Sequence, residues 1–187
     1  MKYEIKKLSK ETKHNFFSLF EDSQFAHQKS WKTCFCRFYH TDCSYEDWMK
    51  RSGLDNMKEA DVEIDSDNMS GFLAFEGDLC VGWLNAGPVP FYKRLINDLL
   101  PEYVNDKTAL TICYVIKEGY RERGIASLLL NQAIDYFREL GFTRMIALPT
   151  DNTVRERNYR GFTQMYLNRG YKEIISESGD RYLVLEL

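Results

Sequence analysis

Along this chain the spacing of apolar positions changes several times, and each change marks an element. Residues 2–8 (KYEIKKL) predict a first strand. Ser9, with Thr12 three residues on, then opens a helix whose Phe16, Phe17, Leu19 and Phe20 form an apolar face. From Ser44 the stretch SYEDWMKRSGLDNMKEA has helical composition and a serine start signal, broken near Gly53, and the polar run DVEIDSDNMS after it reads as a loop. Two apolar runs in GFLAFEGDLCVGWLNAG flank Glu76-Gly77-Asp78, which predicts a hairpin. A short helical piece, FYKRLINDLL, lies between Pro90 and Pro101. The nearly continuous apolar run 109–116 (ALTICYVI) then predicts a buried central strand. Ile125, Leu128, Leu129, Ala133, Tyr136, Phe137 and Leu140 recur at three and four residues, an amphipathic helix stopped by Gly141. A strand over 142–148, a helix over 157–169 ending at Gly170, and two closing strands complete a β-α-β-α-β-β tail. Arg138 and Arg169 sit where a cation complements a helix C-terminus.

Composition narrows the class. A chain of 187 residues, 44% hydrophobic and 28% charged, suits one globular domain over 1–187. Acidic and basic residues nearly balance, 28 against 25, so no partner role with nucleic acid or membrane lipid is indicated and a small-molecule ligand fits better. The opening MKYEIKKLSK lacks the apolar stretch of a signal peptide, and no run of about 18 apolar residues follows, so a cytoplasmic location is expected. The five cysteines, irregularly spaced, fit reduced thiols. Cys34, Cys36, His40 and Cys43 carry zinc-ligand chemistry, but a Cys-x-Cys pair without a second knuckle does not match the common structural sites, and no metal is expected. Trp31–Tyr39 reads instead as a buried aromatic strand or turn.

Between the central strand and its helix stands KEGYRERGIAS, with Arg121, Gly124 and Ala126 spaced Arg-x-x-Gly-x-Ala. A strand-to-helix loop presents unpaired amides at the positive end of a helix, and small residues let a diphosphate reach them. Neither the P-loop nor the dinucleotide-binding glycine pattern is present. Taken alone, the loop could equally be a tight turn with solvated charges.

With its neighbours the segment resembles the acetyl-CoA-binding core of the GCN5-related N-acetyltransferase (GNAT) superfamily, whose signature is Arg/Gln-x-x-Gly-x-Gly/Ala. MYLNRGYKEI resembles a later segment of the same superfamily: Tyr166 late in a helix, then Gly170 and Tyr171. The resemblance covers 71–187, is compatible with 2–22, and leaves 23–70 unaccounted for. It implies an α/β (α+β) fold with a mixed, twisted sheet of about six to seven strands flanked by helices and splayed at the coenzyme site. It further implies acetyl-CoA as co-substrate. The strand end Tyr114, Val115 and Ile116 would pair with pantetheine, the amides of Arg121, Glu122, Arg123, Gly124, Ile125, Ala126 and Ser127 would take the pyrophosphate, and Asn158 and Tyr159 would add coenzyme contacts. Tyr166 would protonate the departing thiolate, and the Ile116 amide would polarise the thioester carbonyl.

No general base is assignable. The candidates are Asp151, Glu76 or a water chain, and none is needed if the amine arrives neutral; His27 and His40 read as structural. The aromatic stretch SWKTCFCRFYH, with Trp48 and Trp83, reads first as core and second as an acceptor pocket. The acceptor would be a small-molecule amine or a protein amino group, and a homodimer is the default for a small enzyme. The rival reading is a non-catalytic acyl-CoA sensor or interaction protein of the same fold.

Overall fold

A computed structural model describes residues 2–22, 29–154, 157–176, 179 and 181–187. Seven strands form one sheet: β1 (Glu4–Lys7), β2 (Gly71–Glu76), β3 (Leu79–Pro88), β4 (Thr108–Ile116), β5 (Arg144–Ala147), β6 (Lys172–Ile175) and β7 (Arg181–Glu186), in spatial order β1-β2-β3-β4-β5-β7-β6. Every neighbouring pair is antiparallel except β4 and β5, which run parallel. A parallel pair needs a crossover, and α5 (Ile125–Glu139) supplies it. Its apolar stripe of Ile125, Leu129, Leu130, Ala133 and Phe137 is buried with Phe72, Leu84 and Ala109 of the sheet. The opposite face is covered by α1 (Lys13–Asp22) and α4 (Gly53–Asp65), where Phe16, Phe20, Ala60 and Ile64 meet Leu73, Phe75 and Trp83.

The mixed, helix-flanked sheet follows the expected class, and the differences have local causes. DVEID is not loop: α4 continues to Asp65, because Gly53 begins that helix rather than breaking one. Ser52 accepts from Asp55 N–H and the Asp55 carboxylate takes Ser52 N–H, a reciprocal cap that overrides the polar composition. The helix expected over 157–169 shrinks to α6 (Thr163–Leu167). Its N-terminus is held from afar by Asp151, whose Oδ1 accepts Thr163 N–H at 2.9 Å. Arg169 lies beyond that helix and ties it to α5, donating to the carbonyls of Met165 (2.6 Å) and Ser127 (3.2 Å). FYKRLINDLL forms 3₁₀ turns over Val89–Phe91 and Lys93–Asp98. Trp31–Tyr39 contains no strand: α2 (Lys29–Lys32), turns and a 3₁₀ turn at Phe38–His40 lead to α3 (Tyr45–Lys50).

One irregularity positions the site. Asn85 pairs with Cys113 but Ala86 pairs with Thr111, so Ile112 is an extra residue in β4. The pairing of β4 with β5 ends at the same point, at Thr111 and Ala147. A bulge bends a strand and reverses its facing. Accordingly Leu110 and Ile112 pack on one face, while past the bulge it is Tyr114 and Ile116 that join the α5 side. The sheet is thereby split open beyond Thr111.

Candidate functional site

The split is floored by β4 and walled by the loop into α5 and by residues 158–165. Tyr114, Val115, Ile116, Tyr120, Arg121, Glu122, Gly124 to Ser127, Asn158, Tyr159, Gly161, Phe162 and Met165 line a cleft of about 260 Å³ with Trp31 at its edge. Of the expected coenzyme residues only Arg123 stays outside; its guanidinium stacks 5.0 Å from the Tyr120 ring centroid.

The loop has the backbone of an anion nest. Glu122 and Gly124 both take left-handed conformations, φ 62° and 80°, and Gly124 is the residue preceding α5. No side chain caps that helix. Among the described residues, the first-turn amides of Ile125, Ala126 and Ser127 find no acceptor. Such amides, at the positive end of a fifteen-residue helix, attract phosphate oxygens.

Strand geometry assigns the remaining donors. Lys117 N–H donates to Val81 on the β3 side at 3.0 Å, whereas Tyr114 N–H points the other way, to the Tyr159 carbonyl at 2.7 Å. By alternation the Ile116 amide also faces the split, and its carbonyl accepts from Arg121 Nε at 3.4 Å. Tyr114 N–H is therefore already taken, and Val115 turns toward β3; of the three expected pairing residues, Ile116 alone presents a free-facing amide. Asn158 lines the cleft but spends its side chain on the loop, its amide bonded at both ends to the Asn152 backbone (2.7 and 2.8 Å).

Tyr166 is fully buried and is not among the residues that line the cleft. Its hydroxyl donates to the Arg160 carbonyl at 2.8 Å, with Tyr114 Oη at 3.2 Å and Thr111 Oγ1 at 3.4 Å. Burial pushes its pKa up to about 12, opposed by the hydrogen bonds from Thr111 and Tyr114. The cleft nevertheless comes close, because Gly161 has no side chain: a Cβ there would stand 3.2 Å from the Tyr166 hydroxyl.

Neither carboxylate weighed as a base, Glu76 or Asp151, lines the cleft. Glu76 is bound by Tyr120 (2.9 Å) and Lys2 (3.4 Å), the first of which chiefly lowers its pKa. Asp151 is engaged by Thr163. His40, buried against Tyr92 with Nε2 3.0 Å from Asn85, has its pKa pushed down to about 3 by burial. His27 lies outside the described residues. The cysteine cluster is dispersed: Cys34 and Cys36 face a cavity, whereas Cys43 bonds Thr41 and Arg94. Among the described residues no group of His, Cys, Asp or Glu could hold a metal ion.

A second cavity, of about 290 Å³, opens on the other side of β4, lined by residues of the Phe20–Met49 region together with Cys113, Tyr114, Val115 and Tyr159. Trp31, Cys34, Cys36, Phe38, Tyr39 and Trp48 reach it, while Trp83 is entirely in the core, donating Nε1–H to Cys36 Sγ at 3.2 Å. Trp31, Tyr120, Gly161, Phe162 and Met165 are not among the expected coenzyme residues; Tyr120 adjoins the Arg-x-x-Gly-x-Ala motif, and nothing periodic or motif-like marks the other four.

The fold has counterparts among solved structures. The chain resembles solved structures over nearly its whole length. An N-acetyltransferase from Thermoplasma acidophilum in complex with coenzyme A is 18% identical, with a TM-score of 0.57 and full coverage of both chains. A GNAT-family acetyltransferase from Listeria monocytogenes is 13% identical, with a TM-score of 0.62 over 99% of this chain and 95% of that one. An N-acetyltransferase from Staphylococcus aureus is 14% identical, with a TM-score of 0.57 over 100% and 99%. No curated protein matches the chain in sequence. The sequence profile of the acetyltransferase (GNAT) family matches residues 30–162, spanning the split sheet, the nest and most of the cleft: the chain belongs to that family.

Proposed function

We propose that the chain is an acyl-CoA-dependent N-acyltransferase that moves an acetyl group from acetyl-CoA to a primary amine by direct attack. The observation that carries this is the uncapped α5 N-terminus, with left-handed Glu122 and Gly124 before it, at the mouth of a sheet split by the Ile112 bulge. The Thermoplasma relative was solved with coenzyme A, which supports the same ligand class. The nest takes the pyrophosphate, and pantetheine runs along the split toward Ile116, whose amide donates to the thioester carbonyl as negative charge develops on its oxygen.

The amine nitrogen attacks the thioester carbon, the tetrahedral intermediate collapses with C–S cleavage, and the thiolate takes a proton. Tyr166 supplies it. A phenol at about 12 keeps its proton in the resting state; giving it to a thiolate, whose ordinary pKa is about 8.5, requires the phenolate to be stabilised as it forms. Thr111 and Tyr114 hydroxyls are within reach to do so.

At hundredfold excess over Kd, acetyl-CoA should add about 2.7 kcal/mol to stability, roughly 5–10 °C in Tm for a domain of this size. No shift at saturation would remove the coenzyme reading. The sealed Tyr166 hydroxyl, already donated to Arg160, favours a second reading, an acyl-CoA sensor without turnover. Thiol release in the presence of an amine panel separates the two.

A further inference from the structure

The second cavity meets the coenzyme cleft at a partition of Trp31, Tyr114, Val115 and Tyr159. Building on the acyl-transfer reading, we infer that this cavity binds the acceptor, and that the acceptor is a monoamine on an aromatic or aliphatic body rather than a polyamine or a basic peptide.

Size and wall chemistry carry the inference. At about 290 Å³ the cavity is at the small end of ligand pockets. Its lining is aromatic, thiol or thioether apart from Val115, and includes no carboxylate. Burial and the neighbouring thiols keep this wall uncharged: Cys34 is pushed up to about 12 by burial, and Cys113 well above the usual thiol range by its hydrogen bond with Cys36. A second ammonium entering here would be desolvated without a counter-charge.

The charges stacked on the rings of this wall are positive. Arg94 stacks 4.3 Å from the Phe38 ring centroid, Arg51 5.7 Å from Trp48, and Arg160 5.2 Å from Tyr39. Arg51 is answered by Glu59 at 2.7 Å. Arg160 donates to the Tyr39 hydroxyl, at 2.6 and 3.1 Å, and lies 5.7 Å from the Tyr159 ring centroid, while Arg94 binds the carbonyls of Phe38 and Cys43 with Thr41 and Cys43 side chains; among the described residues neither is paired with a carboxylate. The electrostatic gradient therefore opposes a polycation. It also assists the reacting group, because an apolar site lowers an amine's pKa and favours the neutral nucleophile. That removes the need for the general base no lining residue provides.

Thiol release from acetyl-CoA should be measured with phenethylamine and hexylamine against spermidine and a lysine-rich peptide, alongside the acetyl-CoA melting shift. The expected result is a kcat/KM at least tenfold higher for the monoamines. Met49→Glu places a carboxylate at an exposed rim position, 64% accessible, and should narrow that ratio at least fivefold; Trp48→Ala should raise KM for phenethylamine. If spermidine or the peptide is preferred, or no monoamine turns over in protein that acetyl-CoA stabilises, or Met49→Glu leaves the ratio unchanged, the inference is overturned while the coenzyme reading stands. Absence of the melting shift overturns the coenzyme reading itself, and this inference with it.

Discussion

The main-chain carbonyl of Tyr159 accepts the N–H of Tyr114 at 2.7 Å, at the strand position from which β5 has already departed. A loop residue thus replaces a missing strand for one hydrogen bond and then leaves the Ile116 amide facing an open split. Tyr159 is fastened elsewhere too, its hydroxyl 2.8 Å from that of Tyr39 and its ring 5.1 Å from Trp31.

Tyr166→Phe keeps the ring and removes the proton. Turnover should fall by roughly 10²–10⁴-fold, the range of a lost general acid, while the acetyl-CoA melting shift stays within about 1 °C of wild type. Equal kcat in single-turnover measurements would exclude Tyr166 as the donor.

Glu122 tests the nest. A side chain in left-handed backbone costs about 1–2 kcal/mol, partly offset by the extra chain entropy of glycine, about 0.5–1 kcal/mol. Glu122→Gly should therefore exceed Glu122→Ala in stability by about 0.5–1 kcal/mol in urea unfolding, since both lose the carboxylate and only alanine keeps a Cβ. The reverse order would show that φ 62° carries no strain.

His40 links stability to pH. Its folded pKa, about 3, lies below the ordinary 6.5, so between those values the unfolded chain binds a proton that the folded chain does not. Stability contributed by neutral His40 is complete above pH 6.5 and declines as pH falls toward 3. From pH 6.5 to 5 the wild type should lose about 1.7 kcal/mol more than His40→Gln, the slope rising from half of about 1.36 kcal/mol per unit at pH 6.5 to nearly the whole of it at pH 5. Parallel curves for the two proteins would refute a neutral buried imidazole.

The proposed donor side is legible in sequence because its physics is local. An anion nest needs small residues and a helix start in succession, and Arg121 to Ala126 lie on one short segment between two strongly patterned elements. The proposed acceptor side is not, because its lining is gathered from Phe20, from positions scattered between Trp31 and Met49, and from Cys113 to Val115 and Tyr159, and aromatic and thiol side chains look the same whether they fill a core or line a hollow. The bulge at Ile112 is hidden inside a nearly continuous apolar run, where no regular alternation exists to be interrupted. The shortening of α6 escaped for another reason: its start is set by Asp151, twelve residues upstream, rather than by an adjacent cap.

The partition of Trp31, Tyr114, Val115 and Tyr159 has one face in each cavity. On the proposed reading, a ligand on one side that moves this wall changes the shape presented to the other. The affinities of coenzyme and amine would then be tied by a single coupling free energy that is the same in both directions, and selectivity for the amine would depend in part on the acyl group already bound.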